Sequence, residues 1–263
     1  MSRPAPPASS VADPDADPGT GAGRRVLRVL LSFLTSEPQV TAEEVAAHVR
    51  MPLSSCYRYL AVLKEFGLLE DNGRGGYAVG PNVVRLARTA RAGSSLTGCA
   101  APHMRRLAAE CNETIILLRR SGTLAICIER VESTQPIRTT FEVGTALPLH
   151  RGAGPKLLLA YAGPAQEALI AETERRGDLR PVERDALQLE LSRIHAQGWS
   201  DSRAEITPDI YAVAAPVRSH DQVTALSVVA PRYRVSRSDQ ARLRRLVIAA
   251  AAAISEELTE RAL

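Results

Sequence analysis

Cysteine is scarce in this sequence, and its few copies are widely scattered. Cys56, Cys99, Cys111 and Cys127 are separated by 43, 12 and 16 positions, with no CxxC pair and no histidine at ligand spacing beside them. A structural zinc site needs such paired ligands, so the sequence predicts no metal, and it carries no cofactor motif. Scattered cysteines are typical of a reduced cytoplasm, and we expect small, partly buried apolar side chains.

Long apolar runs are absent as well. Residues 1–23 lack the apolar core of a signal peptide and are rich in Pro, Ala, Ser, Asp and Gly, which predicts a disordered tail. The alanine-rich run at residues 247–254 is too short to span a bilayer. We therefore expect a soluble, cytoplasmic protein with no membrane partner.

Recognisable catalytic motifs are also missing. The stretch GAGPK lacks the G-x-x-x-x-G-K-[ST] spacing of a phosphate loop, so we interpret it as a tight turn into a helix. Glu205 is interpreted as a salt-bridged or capping carboxylate. The histidines are isolated from one another and from any nucleophile motif: His48, His103, His150, His195 and His220. The sequence favours a protein that is not an enzyme, although two alternatives remain: catalysis on a bound metabolite and an interaction module without a ligand.

The net charge is weak but unevenly distributed. Residues 24–91 carry ten Lys/Arg and six Asp/Glu, whereas the chain from residue 92 onward carries 22 and 20. The positive excess therefore lies largely in the first third. This position suits a DNA-binding segment, although a solvated basic face is an equally good explanation of the charge alone.

Three helical patterns and a hairpin signal occupy residues 24–81. Thr41 and Glu44 predict a capping box, Pro52 ends the turn before the third helix, and Gly67 is its expected C-cap. Asn-Gly and Gly-Gly then predict a tight hairpin, which completes a winged helix-turn-helix. The predicted apolar faces are Val26, Leu27, Leu30, Leu31 and Leu34 in the first helix and Tyr57, Leu60, Ala61 and Leu63 in the third.

A winged helix-turn-helix presents the start of its third helix to base edges in the major groove. Serine hydroxyls and Arg58 can contact bases or phosphates there, and Arg74 at the wing tip suits a minor-groove or backbone contact. Paired helices also occur as plain scaffolding, and Tyr57 suits a core position as well as a contact. The candidate DNA-binding residues are Arg24, Arg25, Ser54, Ser55, Tyr57, Arg58 and Arg74.

The remainder of the chain indicates an α+β domain. Residues 82–98 predict a linker helix, and residues 99–263 alternate helical patterns with β-rich runs that predict an antiparallel sheet. Strands are expected at 113–120, 124–133, 136–144, 210–219 and 222–231. Helices are expected at 101–111, 156–161, 166–176, 182–197 and 238–261.

Several motifs in order then resemble one bacterial family. LSSCYRYLAVLKEFGLLE, GGYAVGPNVVRLA, GTALPLHRGAGPKLLLA, GWSDSRAE and YAVAAPVRS…VTALSVVAP look like the isocitrate-lyase-regulator (IclR) family of transcription regulators. The resemblance implies an N-terminal winged helix-turn-helix, a linker helix and a C-terminal GAF-like effector-binding domain. It also implies a homodimer or tetramer that binds a double-stranded DNA operator and responds to a small-molecule effector.

The resemblance also implies where the effector binds. This chain retains two hydroxyls, Ser202 and Ser227, but has Ala212 and Val229 at positions where polar side chains can occur. We therefore expect a ligand with one polar end and a larger apolar or aromatic body, such as an aromatic acid or its derivative. The effector-binding positions are Leu147, Leu149, Ala153, Gly154, Ser202, Ile210, Ala212, Ser227 and Val229.

Overall fold

The computed structural model describes residues 21–34, 39–73, 75–92, 95–136, 141–219 and 222–261 of the 263-residue chain. The chain divides into two compact units, Met1–Gly93 and Ser94–Leu263. Residues 1–20, most of the segment expected to be a disordered tail, lie outside the described part. The last residues of that segment belong instead to the first helix, which begins at Gly21.

The first unit contains four helices and a small sheet within its described residues. Its elements are α1 Gly21–Leu31, β1 Val40–Thr41, α2 Ala42–Val49, α3 Leu53–Glu65, β2 Leu69–Asp71, β3 Gly76–Val79 and α4 Pro81–Ala92. The strands pair antiparallel in the order β1-β3-β2. β1 was not expected from the sequence, while β2 and β3 form the expected hairpin.

Local sequence signals account for the ends of α2 and α3. The Thr41 side chain accepts a hydrogen bond from the Glu44 N–H, and the Glu44 carboxylate accepts one from the Thr41 N–H, as the capping box predicts. After α3, Gly67 adopts φ +63°, a left-handed conformation that glycine reaches without steric strain.

The apolar faces of α1 and α3 agree with the predicted ones in part: Val26 and Leu30 pack against the core, and Leu60 and Leu63 are buried. The other positions differ. Val29 and Phe33 are buried, whereas Leu27, Leu31 and Leu34 are 57%, 58% and 82% exposed. In α3 the buried side chains are Cys56, Tyr59, Leu60 and Leu63, and the predicted core residues Tyr57 and Ala61 are exposed. The sequence pattern is compatible with burial of either of two adjacent helix faces. In the structure, the packing of α1 and α2 against α3 buries a face next to, and partly shared with, the predicted one.

The second unit is a six-stranded antiparallel sheet with helices on both faces. Its strands are β4 Thr114–Ser121, β5 Leu124–Val131, β6 Ala146–Pro148, β7 Ser200–Arg203, β8 Ile210–Ser219 and β9 Gln222–Pro231. They are ordered β6-β5-β4-β9-β8-β7. The helices are α5 Ser95–Cys111, α6 Ala153–Ala160, α7 Gln166–Arg175, α8 Pro181–Gln197 and α9 Arg237–Glu260.

Alternation along the strands builds two apolar layers. In β4, Ile116 and Leu118 pack with α6, α7 and α8, whereas Ile115 and Leu117 pack with α5 and α9. Strands buried on both faces are nearly continuous apolar runs, which is why β8 and β9 were predicted with the bounds observed.

Two strand predictions in this unit need correction. Phe141–Gly144, the described end of the strand expected at 136–144, is not in a strand, and the third strand of that region is instead β6. The edge strand β7 was not predicted, because SDSR is polar and has no strand-like composition. Residues 137–140 lie outside the described part.

Candidate functional site

The start of α3 differs from the start of α2 in a way that matters for anions. The α2 N-terminus is capped by Thr41 and has Glu43 and Glu44 in its first turn. α3 follows Pro52, has no side-chain cap and has no acidic residue in its first turn. Its first N–H groups and the positive end of its dipole are therefore available to a phosphate.

The side chains on the first turns of α3 are largely exposed. Ser54 and Arg58 are exposed, Ser55 is half-buried, and the Arg58 guanidinium lies 5.5 Å from the centroid of the Tyr59 ring. Tyr57 is 46% exposed and its hydroxyl donates to the Glu43 carboxylate at 3.3 Å. The negative charge of Glu43 raises the pKa of Tyr57, so its hydroxyl stays protonated at neutral pH.

The remaining candidates for DNA contact lie on α1 and at the hairpin turn. Arg24 is exposed and Arg25 is half-buried on α1. Arg74 lies outside the described residues. Beside it, Asp71 pairs with Lys64 of α3 and accepts a hydrogen bond from the Gly73 N–H. The Lys64 ammonium lowers the pKa of Asp71, and the pair anchors the hairpin turn to α3.

In the second unit, strand alternation gathers side chains on the sheet face that α6 covers. Antiparallel pairing places Ser202 opposite Ala212, Ala212 opposite Val229, and Ile116 opposite Ser227. With the start of α6 they line a cavity that encloses about 410 Å³ of empty space, its opening included. The space in which a water molecule can be centred is about 40 Å³, so the cavity is narrow.

The two serines of this cavity differ in their hydrogen bonding. Both are buried, with 7% and 1% exposure for Ser202 and Ser227. Ser202 Oγ accepts the Ala153 N–H at 3.0 Å. Ser227 Oγ has no hydrogen-bond partner among the described residues.

Glycine at position 154 allows α6 to approach the sheet closely. A Cβ there would lie 2.5 Å from Leu118 Cδ1 and 2.6 Å from Ser227 Oγ. The Gly154 N–H belongs to the first helical turn, where no intrahelical acceptor exists. Within the described residues it has no hydrogen-bond acceptor. Pro155 fits the same turn because its missing N–H would have no partner there.

An ion-pair cluster around the buried Lys156 holds a loop that lines the cavity. Lys156 Nζ lies 2.6 Å from Glu190 and 2.7 Å from Glu205, and its side chain is only 3% exposed. The other Glu205 oxygen accepts the Gly152 N–H at 2.9 Å. Glu205 therefore links the 205–207 loop to the start of α6, in the structural role expected for it.

Nearly all the predicted effector positions lie on this cavity. The exception is Leu149, which is buried in the adjoining core without lining it. Arg151 is exposed and lies outside the lining. Sequence reasoning did not assign the other lining residues to the effector site; they are Ile116, Leu118, Phe141, Gly152, Pro155, Glu205, Ile206 and Thr207. Alternation within ETIILLRR could have suggested Ile116 and Leu118, but Ile206 and Thr207 come from a loop with no periodic signal.

Other chemistries find little support in the described part of the chain. It contains no cluster of three or more His, Cys, Asp or Glu that could hold a metal ion. Its helices include none that is long and apolar enough to cross a membrane. Two of its histidines make isolated contacts: His103 Nε2 lies 2.9 Å from Glu257, and His195 packs on Tyr161.

A winged helix-turn-helix and a separate α+β unit with its own cavity define a DNA-binding transcriptional regulator. The sequence profile described as the IclR helix-turn-helix domain matches residues 24–73. The profile described as the bacterial transcriptional regulator IclR C-terminal domain matches residues 92–256. The chain belongs to the IclR family.

Known relatives agree with this assignment. The chain is 33% identical over 214 residues to the HTH-type transcriptional regulator Rv1719 of Mycobacterium tuberculosis, covering 78% of this chain and 80% of that protein. A putative IclR regulator from Silicibacter sp. TM1040 matches with a TM-score of 0.81 at 22% identity, over 90% of this chain and 96% of the other. An IclR homologue from Microbacterium hydrocarbonoxydans, solved with 4-hydroxybenzoate, matches with a TM-score of 0.71 at 24% identity, over 91% and 99%. These last two likenesses establish the fold.

Proposed function

We propose that this regulator binds a small metabolite in the cavity of its second unit and that the metabolite controls its affinity for an operator. The proposed effector is an aromatic or otherwise largely apolar acid or derivative. The observation that carries this proposal is the Ser227 hydroxyl, which is buried in a mainly apolar cavity without a partner among the described residues. A buried unpaired hydroxyl destabilises a fold by about 1–3 kcal/mol, and a ligand oxygen removes that penalty.

The shape of the cavity supports an apolar ligand body. The cavity wall includes the apolar or aromatic side chains of Leu118, Phe141 and Ile210. It also includes Ala212 and Val229, which carry no polar group. A larger apolar or aromatic ligand body would bury more of this wall than a two- or three-carbon acid, and apolar affinity grows with the area buried. The 4-hydroxybenzoate bound by the Microbacterium homologue is an acid of the proposed kind.

The start of α6 supports one polar end of the ligand. Gly154 and Ser227 both line the cavity and lie close to each other, and helix N-termini favour anions. The neighbouring Ala153 N–H already donates to Ser202. A ligand carboxylate or carbonyl oxygen would therefore bind at Gly154 and Ser227.

The proposed DNA reader is the start of α3, with Ser54, Ser55, Tyr57 and Arg58 towards the bases or phosphates. Arg24, Arg25 and Arg74 would contact flanking phosphates. We take residues 24–81 as the DNA-binding domain, 82–98 as the linker and 99–263 as the effector-binding domain. The regulator would act in the cytoplasm, where the operator is.

Exposed apolar side chains on α1, in the segment just after it and on α4 support a homodimer, or a tetramer built from two dimers. Leu31 and Leu34 are 58% and 82% exposed, and Val84 and Leu86 are 68% and 62% exposed. Where such side chains form a contiguous patch, they are typical of a protein interface. A two-fold dimer would present two reading helices to a pseudo-palindromic operator.

The proposal is tested by a thermal-shift screen of aromatic and short aliphatic acids on the full chain, paired with operator release followed by fluorescence anisotropy. We expect an aromatic or largely apolar acid to stabilise the protein and change operator affinity. Ser227→Ala should weaken that response, and Ser192→Ala, which alters an exposed α8 serine, should leave it unchanged. Tightest binding by a two- or three-carbon acid would contradict the proposed class, and turnover of the ligand by product analysis would favour catalysis.

A further inference from the structure

A second concave site lies on the opposite face of the sheet from the effector cavity. It is a groove of about 1040 Å³, its open side included, between the edge strand β7 and the start of α9. The groove is lined by Trp199, Asp201, Arg203, Tyr211, Arg237, Gln240, Ala241 and Arg244. We call it the β7–α9 groove.

The local structure explains why these side chains converge. Arg237, Gln240, Ala241 and Arg244 follow the i, i+3, i+4, i+7 spacing of a single helix face. In β7, Asp201 and Arg203 point away from the face that carries Ser202, because successive residues of a strand alternate. The same short strand therefore contributes to both sites.

The groove holds more positive charge than its single carboxylate can balance. Arg203 lies 3.2 Å from Asp201 and donates to Gln240 at 2.7 Å. Arg237 and Arg244 have no carboxylate within ion-pair distance among the described residues. The Arg244 guanidinium lies 4.6 Å from the centroid of the Trp199 ring. Stacking on an aromatic face leaves the guanidinium edge free to donate hydrogen bonds.

The hydroxyl of Tyr211 is a further hydrogen-bond donor in the groove. Only 2% of the Tyr211 surface is exposed, and it lines the groove, yet its hydroxyl has no hydrogen-bond partner among the described residues. Burial, with a smaller contribution from Asp201, raises the pKa of Tyr211 to about 12. At neutral pH the hydroxyl is therefore protonated and able to donate.

We propose that the β7–α9 groove binds a phosphate group, carried by a small phosphomonoester or present as inorganic phosphate. Two guanidiniums without a carboxylate partner and the Tyr211 hydroxyl donor match the several acceptor oxygens and double negative charge of this group. A monocarboxylate would satisfy fewer of these donors. The inference is independent of the effector proposed for the cavity.

The protein contains a direct reporter, because Trp199 is the only tryptophan in the sequence. We expect a saturable change in its emission when inorganic phosphate is titrated into the full chain at constant ionic strength, with sodium chloride as the matched salt. Calorimetry measures the same binding independently of the fluorophore. Glycerol phosphate is compared with inorganic phosphate, and tighter binding of the ester identifies a phosphomonoester site.

Substitutions inside and outside the groove distinguish specific phosphate binding from non-specific electrostatic attraction. Arg237→Gln and Tyr211→Phe should each weaken phosphate binding about tenfold, since a hydrogen bond to a charged group is lost. Arg245→Gln removes the same charge from an exposed position of α9 outside the groove and should have little effect. The proposal is overturned if neither method detects saturable binding at millimolar phosphate, or if Arg245→Gln weakens binding as much as Arg237→Gln.

Discussion

Replacing each of two buried serines on one sheet face by alanine should change the free energy of unfolding differently. Ser202→Ala removes the acceptor of the Ala153 N–H, which is hydrogen-bonded at 3.0 Å in the folded protein. Ser227→Ala removes a hydroxyl that has no partner among the described residues. Both substitutions delete a single oxygen from a side chain that is at most 7% exposed, so packing losses are small and similar.

The expected magnitudes follow from hydrogen-bond energetics. An orphaned buried N–H should lower the free energy of unfolding of Ser202→Ala by about 1–2 kcal/mol. Ser227→Ala should leave that free energy unchanged or raise it by about 1 kcal/mol, because an unsatisfied polar group is removed. The difference of about 2 kcal/mol corresponds to roughly 4–8 °C in Tm for a unit of this size.

Differential scanning calorimetry and urea unfolding of the full chain measure both variants, with Ser192→Ala as the control for serine removal at an exposed site. The same preparations are titrated with the effector found in the metabolite screen. Ser227→Ala should be as stable as the parent and yet respond less to the effector. If Ser227→Ala is destabilised as much as Ser202→Ala, the Ser227 hydroxyl is already satisfied in the unliganded protein, and the argument for a ligand oxygen there fails.

Further predictions concern the ion-pair cluster, DNA reading, assembly and thiol reactivity. Lys156→Met should lower the free energy of unfolding by about 2–3 kcal/mol in urea, because two carboxylates lose their buried counter-charge; an unchanged midpoint would contradict the cluster's structural role. Arg58→Ala should weaken operator binding by about 1–3 kcal/mol in fluorescence anisotropy, and an equal loss on unrelated DNA would assign Arg58 to phosphate contact instead. Leu31→Glu with Val84→Glu should produce monomers in sedimentation while the parent chain remains dimeric, and a dimeric double variant would place the interface elsewhere. Burial raises the pKa of Cys127 to about 11, so its thiol should resist iodoacetamide at neutral pH until the protein is unfolded; rapid alkylation of the folded chain, detected by mass spectrometry, would show an open environment.

Much of the DNA-binding unit was predictable because its signals are local. The Thr41–Glu44 capping box, the Gly67 turn and the Asn-Gly hairpin each depend on residues a few positions apart. The choice of buried face was not predictable in the same way. Leu27 and Leu31 on α1 continue an apolar stripe as well as Val29 does, and only the packing of α3 shows which stripe is covered.

The sequence by itself determined the order of the major helices and the two long strands β8 and β9, because their periodicity and apolar runs extend over many residues. Tertiary structure decided the polar strand β7, whose conformation depends on pairing with β8. It also decided the contents of the cavity. Ser202 and Ser227 line the same cavity only because of the register of β7, β8 and β9. Ile206 and Thr207 complete the lining from a loop. Contacts between residues far apart in sequence produce no periodic pattern in the sequence. They are therefore known only from the tertiary structure.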